Sequence, residues 1–167
     1  MDVFDAVRTV LAVRAFQDKA VPEAVKEQII EAGRLTGSGG NVQPWHFIVI
    51  DDREALRKMA EAAKSGPYIA EAAFAIAVAV EPGNLGLSDG SRAIQSMILT
   101  AWSVGVGSNW VGFSPMPAVS LLLDVPDTLN VLAVIPFGYP VKTIGQGKKK
   151  RKPASEVVHR GKFGQSS

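Results

Sequence analysis

Residues 74–80, Phe-Ala-Ile-Ala-Val-Ala-Val, most constrain what this chain can fold into. A β-strand alternates its side chains. Phe74, Ile76, Val78 and Val80 therefore share one face, and Ala75, Ala77 and Ala79 share the other. Both faces are apolar, so both need cover, and helices on each side of a sheet provide it. The alanine face invites close approach by a helix. The sequence offers one at 89–106. Asp89 suits an N-cap, and Ile94, Met97, Ile98, Ala101 and Trp102 follow helical spacing. Gly105-Val106-Gly107 forms a natural stop.

The flanking segments complete a layered design. Residues 2–12 read as a helix capped by Asp2, with Val3, Val7 and Leu11 on one face. Pro22-Glu23 opens a second helix that runs to about residue 36. Gly37-Ser38-Gly39-Gly40-Asn41 is a glycine-rich loop. Trp45 to Ile50 reads as a buried strand, 52–64 as an exposed helix, and Glu81 to Ser88 as a short Pro/Gly loop. A short strand at 108–112, a helix at 116–123 and a strand from Val131 to Phe137 follow. No repeat or linker divides the chain. The expectation is one domain over 1–167 of the α+β class, a three-layer α/β/α sandwich around a mixed sheet.

The chemistry available to side chains is sparse. The sequence has no cysteine and two histidines, His46 and His159. Thiol nucleophiles, iron–sulfur ligation and cysteine zinc sites are excluded, and a histidine-rich metal site is nearly so. No Gly-x-Ser-x-Gly elbow exposes a serine, and neither a Rossmann fingerprint nor a Walker sequence is present. Catalysis here calls for a bound cofactor. No apolar run reaches the roughly 18 to 20 residues that span a bilayer. The acidic start and the missing apolar leader predict a cytoplasmic protein. The formal charge of +2 conceals a local concentration of charge. Residues 148–162 carry Lys148, Lys149, Lys150, Arg151, Lys152, Arg160 and Lys162 against Glu156, a net +6, and the rest is −4. Without interleaved aromatics this run is not expected to bind nucleic acid. Phosphate is the better match.

Residues 37–47, Gly-Ser-Gly-Gly-Asn-Val-Gln-Pro-Trp-His-Phe, resemble the Pro-Ser-x-x-Asn-x-Gln-Pro-Trp-x-Phe signature of the FMN-dependent nitroreductase family. Val13-Arg14-Ala15-Phe16 with Val21-Pro22-Glu23 is similar to its N-terminal Arg-x-Phe…Val-Pro segment. Gly105 to Phe113 resembles its Gly-Leu-Gly-x-x-Trp-x-Gly-Gly, Phe137-Gly138-Tyr139-Pro140 its x-Gly-Tyr-Pro, and Lys149-Lys150-Arg151-Lys152-Pro153 its basic C-terminal turn. The resemblance covers roughly residues 2–160. It implies an NAD(P)H-dependent oxidoreductase using FMN, with NADH or NADPH as donor and a nitroaromatic, quinone or flavin as acceptor. It also implies a homodimer that shares its flavin sites and exchanges C-terminal segments, with 147–167 packing on the partner.

By position, the resemblance assigns Arg14 to the flavin N1/O2 edge, and Ser38, Gly39 and Asn41 to the loop along the ring from the partner subunit. Val111 and Gly112 fall in the segment facing flavin N5, and Lys149 and Arg151 at the phosphate. Two departures stand out. The family's Arg-x-Ser before Arg14 is replaced by Val10 and Ala12, and Arg8, about 200° round a continuous helix from position 10, is expected to point away. The short 81–88 loop also leaves the pocket without the helical excursion many members carry. A deazaflavin or other flavin-like ligand, or a non-catalytic flavin-binding module, therefore stays open as an alternative.

Overall fold

The computed structural model describes residues 1–112, 114–142 and 149–165. Phe113 of the Gly105–Phe113 motif and Lys148 of the basic run lie outside the described residues. The helices are α1 (Val3–Thr9), α2 (Glu23–Arg34), α3 (Arg53–Ala63), α4 (Asn84–Ser103), α5 (Pro117–Leu122) and α6 (Ala154–Val157). The strands are β1 (Trp45–Ile50), β2 (Phe74–Val80), β3 (Gly107–Ser108) and β4 (Asn130–Gly138).

The sheet runs β1-β2-β4-β3, with every neighbouring pair antiparallel. Its parallel component is the bridge between Ala12 and Ser108. β2 is central and completely buried. Phe74 lies opposite Phe137 of β4, and the two rings stack at 4.9 Å.

Each sheet face has its own core. Phe74, Ile76, Val78 and Val80 pack with Ile29 of α2 and with Ala93, Ile94, Met97 and Ala101 of α4. Ala75 and Ala77 pack with Leu56, Met59, Ala60 and Ala63 of α3 and with Val119 of α5. The helix expected on the alanine face is thus on the opposite one. Complementarity explains the exchange: α4 brings small residues to a bulky strand face, and α3 brings Leu56 and Met59 to a shallow one. Gly90 of α4 is the clearest case. A Cβ there would lie 2.6 Å from Val80 Cγ1 and 3.1 Å from Leu132 Cδ2.

Two helix boundaries, the start of α4 and the end of α1, differ from expectation. α4 begins at Asn84, so Asp89 is no cap but a buried residue one turn inside. Residues 84–88 are accordingly helical and not loop. Their Gly and Ser content hides helix that tertiary packing stabilises. α3, expected to be exposed, is capped by Asp52, is amphipathic and buries one side. α1 stops at Thr9, where Val10 turns extended (φ −55°, ψ 131°) and Ala12 and Val13 join Ser108. Within α1 only Ala6 and Thr9 are buried, and Val3, Phe4 and Val7 are exposed. The apolar side of α1 is therefore not part of the core.

Candidate functional site

A cavity of about 920 Å³ opens beside α1. Phe4, Val7 and Arg8 of α1 form one wall, followed by Val10, Leu11 and Ala12 of the extended segment. Gln95 and Ile98 of α4, and Asn109 and Trp110 after β3, form the others. Lys149 and Arg151 from the C-terminal segment complete it. Much of the exposed apolar side of α1 thus faces this space.

The walls are fixed by specific bonds. Trp102 Nε1 donates to Thr9 Oγ1 at 2.9 Å, and Thr9 Oγ1 donates to Asp5 O at 2.6 Å, which fastens α1 to α4. Asn109 Nδ2 donates to the Tyr68 hydroxyl, and Trp110 Nε1 donates to Gly112 O at 2.8 Å. Lys149 Nζ donates to Val7 O at 2.6 Å. That carbonyl lies in the last turn of α1, where helix carbonyls lack intrahelical donors and a cation is favoured. Burial, and then repulsion from Arg151, hold the Lys149 ammonium below the ordinary lysine value. A bound anion would reverse that effect.

Of the residues assigned from the sequence, Lys149 and Arg151 meet in this cavity. The others do not line it. Arg14 is exposed on the segment between buried Val13 and Phe16. Val111 is buried in the second core, and its N–H and C=O are both bonded to Val134. Its N–H cannot also serve a ligand. Gly112, the next residue, lies outside the bridge. It has φ +76°, the left-handed region that favours glycine.

Ser38, Gly39 and Asn41 lie together on a separate surface loop. Ser38 Oγ accepts from Gln43 N at 2.9 Å, and Asn41 and Gln43 both adopt left-handed backbone (φ 57° and 56°). The loop is tied to α4 by Asp89, whose Oδ2 accepts from Gly39 N at 2.9 Å while Oδ1 meets Arg92 at 3.2 Å. Asp89→Ala is expected to cost about 1–3 kcal/mol by stripping the acceptor from a part-buried N–H. Asp89→Asn, which keeps an acceptor, should cost less, and urea denaturation of both variants checks it.

The sequence reading missed Arg8, Gln95, Asn109 and Trp110 as cavity residues. Only the early end of α1 would have revealed Arg8. The order Asn109-Trp110 right after the Gly105–Gly107 stop was a usable signal for the other wall.

A cavity this large, with Arg8, Lys149 and Arg151 in its lining, has the size and charge to suit an anionic ligand of cofactor size. Comparison narrows the class. The nitroreductase family model matches residues 8–88 and 84–139. An Archaeoglobus fulgidus protein named "Putative NADH dehydrogenase/NAD(P)H nitroreductase" is 37% identical over 77% of this chain and 80% of its own length. A crystal structure of the same name from Bacteroides thetaiotaomicron superposes with a TM-score of 0.88 at 29% identity, covering 96% of this chain and 98% of that one. A Clostridium difficile protein titled an FMN-dependent nitroreductase shares the fold at a TM-score of 0.85 and 23% identity, covering 96% and 99%. The chain belongs to the nitroreductase family and is an oxidoreductase. Among the described residues no helix is long and apolar enough to cross a membrane.

Proposed function

We propose that the chain is an FMN-dependent NAD(P)H oxidoreductase, acting in the cytoplasm as a homodimer. NADH or NADPH, and then a nitroaromatic, quinone or flavin acceptor, use the same cavity in turn. The observation that carries this reading is the meeting of Lys149 and Arg151 in a cavity whose walls include Phe4, Val7, Ile98 and Trp110. The donor set fits the group: a phosphate monoester needs charge-assisted donors, and a flavin ring needs flat apolar walls. When bound, the flavin supplies the hydride chemistry for which the side chains here offer no substitute.

The chain's own residues bind and orient. Lys149 and Arg151 take the phosphate. Trp110 and Ile98 shape the space beside the ring, and we assign the Gly112 N–H to its N5 edge. Arg14 lies beyond the cavity as the single chain forms it, and we assign it to the N1/O2 edge of the ring, where positive charge stabilises the reduced state. Ser38, Gly39 and Asn41 serve the partner's site from their separate loop. The C-terminal segment supports the dimer. Residues 154–157 bury nothing on their own chain, and Phe163 is 92% exposed, so a second copy is their natural cover.

The test is a visible spectrum of protein loaded with FMN, desalted, then given NADH or NADPH without oxygen. Retention of about one FMN per chain, bleached by the nicotinamide, is expected. Protein that emerges colourless overturns the reading. Light scattering at micromolar concentration should report a dimer, and a monomer would remove the shared-site arrangement.

A further inference from the structure

We propose that Arg8 is a third cation of the phosphate end and supplies, from α1, positive charge that positions 10 and 12 lack. The inference rests on the FMN reading above. Val10 and Ala12 line the cavity but bring neither charge nor a side-chain donor. Arg8 lines the same cavity as Lys149 and Arg151. It does so because α1 ends at Thr9 and Val10 leaves helical geometry. The 100° steps of a continuous helix, which would turn Arg8 away from position 10, no longer apply there.

The three cations are held yet keep donors in reserve. Arg8 Nη2 donates to Asp5 Oδ1 at 2.7 Å, with the guanidinium side chain 49% exposed. A guanidinium has five donors, so most remain for a ligand. Lys149 donates to Val7 O, the carbonyl of the residue preceding Arg8, so the tail is tied to the turn of α1 that carries Arg8. An ammonium has three donors. A phosphate monoester presents three acceptor oxygens, and cations from α1 and from the tail approach it from two segments. Asp5 works against this arrangement, since its carboxylate engages Arg8 and would repel the phosphate.

The test compares FMN with riboflavin, which lacks only the phosphate. Dissociation constants are measured by flavin fluorescence for wild type, Arg8→Gln, Arg8→Lys and Asp5→Asn, each checked for an unchanged melting temperature. Arg8→Gln is expected to weaken FMN about 10-fold, the loss of one charge-assisted bond, and to flatten the salt dependence. Its riboflavin affinity should not move. Arg8→Lys should keep most of the preference, and Asp5→Asn should tighten FMN alone. If wild type prefers FMN and Arg8→Gln keeps that preference, or loses both flavins equally, the role of Arg8 is overturned while the FMN reading stands. If wild type holds neither flavin, the FMN reading falls and the role of Arg8 falls with it.

Discussion

Replacing Lys149 and Arg151 together with glutamine is expected to weaken FMN by at least about 100-fold and to leave riboflavin nearly unaffected. A hydrogen bond to a charged group contributes about 1.5–3 kcal/mol, or roughly 10- to 100-fold in affinity. The two effects should not add simply, because both side chains face one anion and Arg151 already depresses the Lys149 ammonium. Removing Arg151 first relaxes Lys149, so the second removal should cost more than the first. Glutamine at 149 can still donate to Val7 O, which keeps α1 tied to the tail and limits the change in stability. The lowered lysine also sets a pH dependence. In the free protein Lys149 loses its proton at a pH below that of an ordinary lysine, and FMN affinity should fall as pH rises through that point. Flavin titrations at two salt concentrations and across alkaline pH check all of this. Unchanged FMN affinity in the double variant would place the phosphate elsewhere.

Much of the fold was legible where period and burial agree. The alternation of 74–80 gave the central strand with its bounds; Trp45–Ile50 has the bounds expected, but as an edge strand it leaves His46 and Val49 exposed where a buried strand was read. Asp2 caps its helix, accepting from Asp5 N. The errors share a physical origin. Gly86 and Ser88 read as loop because their helix propensity is low, yet both lie within α4, where a Cβ at position 86 would fall 1.9 Å from Glu81 O. Asp89 looked like a cap because an Asp before an apolar run usually is one. Its actual task, holding Gly39, is a contact across 50 residues that no local pattern encodes. The helical face of Val3, Val7 and Leu11 was visible, but whether it met core or cavity was not.

For the site, Lys149 and Arg151 were named through the family resemblance, and the fold puts them in one cavity. Val111 was named with them, but pairing with Val134 removes its N–H from any such use. Arg8 was set aside on helical geometry that ends one residue later. Ser38, Gly39 and Asn41 belong to a loop whose ligand, on the proposed reading, sits on another copy of the chain. A single sequence read along its length can mark such a loop but cannot bring the two halves together.

Phe137→Ala should be the most damaging single change to stability. Phe137 is fully buried, stacks on Phe74 at an interplanar angle of 12°, and its carbonyl accepts from Ala73 N at 2.9 Å. Removing a buried phenyl ring costs about 3–5 kcal/mol, a large share of the roughly 5–15 kcal/mol that domains possess. For a chain of this size the melting temperature should drop by about 6–20 °C. Phe137→Leu, closer in volume, should cost less than about 1.5 kcal/mol beyond the lost ring contact. A double-mutant cycle with Phe74→Ala should return a coupling of about 0.5–1.5 kcal/mol for the stacked pair. The site should feel the change as well. Phe137 lies opposite Ser108, and Asn109 and Trp110 follow directly into the cavity wall. At temperatures where the variant stays folded, it should therefore weaken FMN and riboflavin alike, because it loosens the wall along the ring. The Lys149/Arg151 variant should weaken FMN alone. If Phe137→Ala discriminated between the two flavins, the wall after β3 would belong to the phosphate end, and the orientation assigned to the ligand would have to be reversed.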